Sequence, residues 1–112
     1  MAKSFNVELA VREGPEQAQA GAASALRDAA RAVGLRLAGQ SAGELTYRPR
    51  YQFPFVVMLW HVLNGERMTV SFAAGPEGGT VVYISGAVAR GNHELASDPE
   101  HWSEALGGSP AS

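Results

Sequence analysis

The chain has 112 residues, 46% of them hydrophobic and 18% charged, and a formal net charge of -2. This composition excludes a disordered polymer and shows no basic excess for nucleic acid. A chain of this length holds one hydrophobic core, and the lack of cysteine excludes disulfides, thiolate metal sites and a cysteine nucleophile.

Phe5, Val7, Leu9 and Val11 alternate with Ser4, Asn6, Glu8 and Ala10, which predicts a half-buried strand. Met1 to Phe5 hold no apolar stretch of the signal-peptide kind. Gly14-Pro15 ends the strand, and Pro15 with Glu16 suits the first turn of a helix. The chain is then alanine-rich up to Gly34, a good residue for a helix C-terminus. Ala18, Ala22, Ala25, Leu26, Ala29 and Val33 share one face by their spacings. One helix over Pro15 to Val33 is predicted, about 28 Å long at 1.5 Å per residue.

Strand signals follow. Leu35 and Leu37, then Leu45 and Tyr47, alternate around the loop Gly39 to Gly43. Opposing Leu37 to Leu45 sets Leu35 against Tyr47. Phe55 to Leu63 reads as a strong strand, and Asn64-Gly65 as a two-residue hairpin turn leading to Met68, Val70 and Phe72. The apolar run Phe53 to Leu63 falls short of the roughly 20 residues a membrane helix needs. Gly75 to Gly79 is a further turn, and Thr80 to Val88 the last long strand. Ser97-Asp98-Pro99-Glu100 has the spacing of a capping box, so a short helix from His101 to Leu106, closed by Gly107-Gly108, is predicted. Residues 1–108 form a single α+β domain in this reading, and 109–112 a frayed tail.

The predicted order is β-α-β-β-β-β-β: one long helix on an antiparallel sheet of about six strands. In layout this resembles helix-grip and TATA-binding-protein-like domains, a likeness carried by element order and by no motif.

The turns also imply a register. Leu59 faces Val70, His61 faces Met68, and Val57 faces Phe72. Across the next turn Phe72 faces Val82, Val70 faces Ile84, and Met68 faces Gly86. Val57, Leu59, Val70, Phe72, Val82 and Ile84 then face the helix. The outer face carries Val56, Met58, Trp60 and Val62, followed by Thr69, Ser71, Ala73, Val81, Tyr83 and Ser85, with Thr46, Arg48 and Arg50 toward one edge. An outer face is normally polar, so an apolar centre there marks an interaction surface, unless the C-terminal helix folds over it.

No enzymatic constellation emerges. His61 is expected to be structural. His93 and His101, with Glu94, Asp98 and Glu100 nearby, lack converging metal-ligand spacing. There is no Gly-x-Ser-x-Gly elbow, no dinucleotide fingerprint and no Walker loop. Arg48-Pro49-Arg50-Tyr51, with Phe53 and Phe55, mixes cations and rings. Such a mixture can hold phosphates, stack bases, bind a carboxylate or protect a strand edge. The leading expectation is a non-enzymatic module that associates with itself or another protein through Val56, Met58, Trp60 and Tyr83, rimmed by Arg48 and Arg50. The alternative is a carrier of a small apolar or aromatic ligand, and the third reading an enzyme using His61. The expectation includes no cofactor, no metal, no nucleic-acid or membrane partner, and a cytoplasmic location.

Overall fold

Strict alternation of apolar and polar residues builds the sheet, and small residues build the layer on top of it. The computed structural model describes residues 2–49 and 65–110, the side chain of Pro110 excepted. The strands are β1 (Lys3–Val11), β2 (Leu35–Ser41), β3 (Glu44–Pro49), β4 (Arg67–Ala74), β5 (Thr80–Val88) and the two-residue β6 (Ser109–Pro110). The helices are α1 (Pro15–Ala25), α2 (Arg27–Ala32), α3 (Arg90–Ala96) and α4 (Pro99–Leu106). Together they make an α+β fold with one antiparallel sheet in the order β2-β3-β4-β5-β1-β6.

One face of the sheet forms the core. Phe5, Val7, Leu9 and Val11 of β1 join Val82 and Ile84 of β5, Met68, Val70 and Phe72 of β4, and Leu45 and Tyr47 of β3. Ala22, Leu26, Ala29, Ala30, Val33, Ala96 and Trp102 from the helices pack against them. The predicted pairing of β4 with β5 is present: Phe72 partners Val82, Val70 partners Ile84, and Met68 partners Gly86.

The other flank of β4 departs from expectation. Leu45 partners Val70 and Tyr47 partners Met68, in the positions predicted for Leu59 and His61. Phe72 N–H also donates to Gly43 O at 2.9 Å. Both edges of β4 are therefore occupied, by β3 and by β5. The segment 55–63, with Val57, Leu59 and His61, is outside the described residues. The expected register assumed that segments adjacent in the chain pair with each other, whereas the second edge of β4 is taken by a strand farther away in sequence.

The β2–β3 register also differs. Leu37 faces Tyr47, Leu35 faces Pro49, and a bulge between Leu37 and Gly39 sets Gln40 against Leu45. The extra residue re-aims the strand in a way alternation cannot anticipate. Gln19 of α1 clamps the turn: its Nε2 donates to Ser41 O at 2.6 Å, and its Oε1 accepts from Gly43 N–H at 2.8 Å.

The long helix is divided at Leu26, whose φ of -87° and ψ of -5° depart from helical values. Hydrogen bonding continues across the join, from Leu26 N–H to Ala22 O and from Ala30 N–H to Leu26 O, both at 2.8 Å. Leu26 is fully buried there, and no proline or glycine marks the break.

The chain after β5 forms two helices where one was predicted. Asp98, and not Ser97, caps α4, its carboxylate accepting from Glu100 N–H at 3.0 Å. Ser97 Oγ donates instead to His93 O, at the end of α3. Gly107 closes α4 at φ 73°. Trp102 of α4 stacks on Phe5, so this helix belongs to the inner layer and leaves the outer face alone. Ser109 and Pro110 do not fray but pair with Ala10 and Leu9. No helix among the described residues is long and apolar enough to cross a membrane.

Candidate functional site

Where β1, β4 and β5 approach the start of α1, sheet and helix part. A groove of about 470 Å³ opens between them. Its sheet side is Val11, Phe72 and Val82, and Leu106 of α4 closes one flank. Its helix side is made of residues with almost no side chain, including Ala18, Gly21, Ala22 and Ala25. Pro15 starts α1 here, and its fixed φ suits a first helical turn. Thr80 Oγ1 donates to Glu13 O at 2.6 Å, tying the loop before α1 to the start of β5. Glu13 and Gln17 bring polar atoms to the rim.

Gly21 is the informative member of this lining. It lies inside α1, where glycine costs about 1 kcal/mol relative to alanine. A Cβ added to it would meet no heavy atom within 4 Å. Internal crowding therefore does not explain its small size.

Of the residues singled out on the outer face, Tyr83 and Arg48 are among the described residues. Tyr83 is there and 41% exposed, partnered by Glu8 on one side and Ser71 on the other. Asn6, Glu8 and Ser85 are exposed beside it, and Arg48 is exposed farther along the face, so none of the described helices covers the surroundings of Tyr83. Val56, Met58, Trp60 and Arg50 lie outside the described residues. In the described part the face is rich in hydroxyls, with Thr46, Thr69, Ser71, Ser85 and Tyr83. Arg48 does project from it, and its cross-strand partner is Arg36.

The two described histidines are held apart. His93 Nε2 lies 2.9 Å from Ser4 O, and His101 Nε2 lies 2.9 Å from Ala29 O. A carbonyl only accepts, so each ring carries its proton on Nε2 and donates. Among the described residues no group of three or more His, Cys, Asp or Glu can hold a metal ion. Tyr47 is the unusual titratable group. Its hydroxyl is buried without a hydrogen-bond partner among the described residues, and burial pushes its pKa up to about 12.

The groove was the feature that sequence reasoning undervalued. A face of alanines ordinarily lets a helix approach a sheet closely and leaves little space between them. Gly21 within the helical pattern was the available signal. No protein-family model, curated protein or solved structure matches this chain.

Proposed function

We propose that this domain binds a small apolar ligand in the groove between α1 and the sheet. The observation that carries the reading is a volume of about 470 Å³, inside the roughly 300–1,000 Å³ range of small-molecule sites. Apolar side chains floor it, and Gly21 leaves part of it free at a cost to the helix. Burial of an apolar body there is favourable by about 25 cal/mol per Å², while Glu13 and Gln17 orient any donor the ligand carries. A helix-grip arrangement, with the sheet end bending away from α1, belongs to the same proposal.

The test is a titration of the 15N-labelled protein with decanol and with indole. Shifts centred on Ala18, Gly21, Ala22 and Leu106 are expected. Gly21→Leu and Ala18→Leu add volume to the helix side, and both variants should stay folded and lose the shifts. Spectra unchanged by both probes would overturn the reading.

Self-association through the outer face is a second reading, supported by the 41% exposure of Tyr83, whose surroundings no described helix covers. Val56, Met58 and Trp60, the other residues of this reading, lie outside the described residues. Light scattering tests what is left: if the purified chain is a dimer, Tyr83→Glu should make it a monomer without unfolding it.

A further inference from the structure

We infer that the outer sheet face carries an anion site, formed by Arg36, Arg48 and Arg67, for a ligand bearing a diphosphate group. The inference shares no residue with the groove and stands or falls separately from it.

The register brings the three cations together. Arg36 and Arg48 are direct cross-strand partners in β2 and β3. Leu35, Tyr47 and Pro49 beside them are buried while both arginines are exposed, so alternation puts both on the outer face. Thr46 partners Thr69 across β3 and β4. That pairing ends with Tyr47 opposite Met68, and the next residues on the two strands are Arg48 and Arg67, which is exposed as well. One guanidinium thus comes from each of three adjacent strands. At about 4.8 Å between strands, the row spans roughly 10 Å.

Like charges placed directly opposite each other destabilise a sheet. Here neither the Arg36 nor the Arg48 guanidinium has a hydrogen-bond or ion-pair partner among the described residues. Arg67 uses Nη1 on Gly65 O at 2.7 Å, which steadies its side chain and leaves other donors of the fork unused. A net charge of -2 for the whole chain makes this a local cationic spot on an otherwise slightly acidic molecule. One guanidinium fork satisfies one carboxylate. Three in a row suit a compact ligand with several negative oxygens, and the guanidinium plane matches phosphate geometry. The half-buried Thr46 and Thr69 place hydroxyl donors next to the row.

The test is an NMR and calorimetric titration of the full chain with pyrophosphate, ADP and citrate. Pyrophosphate should shift the amides of Arg36, Thr46, Arg48, Arg67 and Thr69. The double variant Arg36→Gln, Arg48→Gln should bind it about tenfold more weakly, since exposed ion pairs contribute up to about 1 kcal/mol each. That variant should keep the wild-type melting curve and the wild-type response to decanol. Additional ADP shifts at Tyr83 identify a nucleotide as the source of the diphosphate, and ADP shifts confined to the arginine row identify a free diphosphate. Absence of pyrophosphate shifts, or equal affinity in the double variant, overturns the site. Citrate binding as tightly as pyrophosphate overturns the ligand class.

Discussion

The indole of Trp102 lies parallel to the ring of Phe5, with centroids 6.5 Å apart and 5° between the planes. This offset stack joins the C-terminal helix to the first strand. Trp102 Nε1 also donates to Ala96 O at 2.7 Å, linking α4 to α3. Trp102→Ala removes the ring and strands a buried carbonyl, and should cost about 3–5 kcal/mol. Trp102→Phe keeps a ring and should cost less. Urea denaturation measures both, and an unchanged midpoint in Trp102→Ala would exclude α4 from the core.

Two glycines should respond in opposite directions to alanine. At Gly86 an added Cβ would come within 2.7 Å of Met68 Cα and still closer to Arg67 O. Backbone must shift to admit it, so Gly86→Ala should lose on the order of 1–3 kcal/mol. Gly21→Ala meets nothing within 4 Å and removes a flexible residue from a helix. It should gain about 0.5–1 kcal/mol. Thermal melts of the two variants settle the comparison.

Tyr47 makes stability depend on alkaline pH. Its folded pKa, about 12, lies above the ordinary 10.0 because burial disfavours phenolate. Between these values the unfolded chain has released a proton that the folded chain retains. The contribution is therefore complete below pH 10 and is lost as pH rises toward 12. Tyr47→Phe should show a smaller drop in Tm between pH 9 and pH 11 than the parent. At pH 7 it should be close to neutral, because the hydroxyl has no partner among the described residues to lose.

Glu77 sits at φ 60° and ψ 28° in the turn between β4 and β5. The left-handed region costs a side-chain-bearing residue roughly 1–2 kcal/mol. Asparagine tolerates it better, so Glu77→Asn should raise stability by up to about 1 kcal/mol. A lower midpoint in chemical denaturation would show that the carboxylate has a stabilising role there.

Much of the inner face was legible without coordinates. The alternation in β1 and the short turn between β4 and β5 are local features, and local features set register directly. Phe72 against Val82 and Val70 against Ile84 follow from them. So does the start of a helix at Pro15. The break at Leu26 was not legible, because leucine is a good helix former and no breaking residue marks the position.

The sequence by itself determined the α+β class, the faces of β1 and β5 that turn inward, and the pairing of β4 with β5, since alternation and turn length act over a few residues. Only the tertiary structure decided which strand occupies the second edge of β4. That choice is a contest between segments far apart in sequence, and strand pairing rewards whichever one packs best. The same contest brought Arg36, Arg48 and Arg67 onto adjacent strands, although no two of them are close neighbours in the chain. It also set α1 far enough from Phe72 and Val82 to leave a groove, because the distance between helix and sheet depends on everything packed between them.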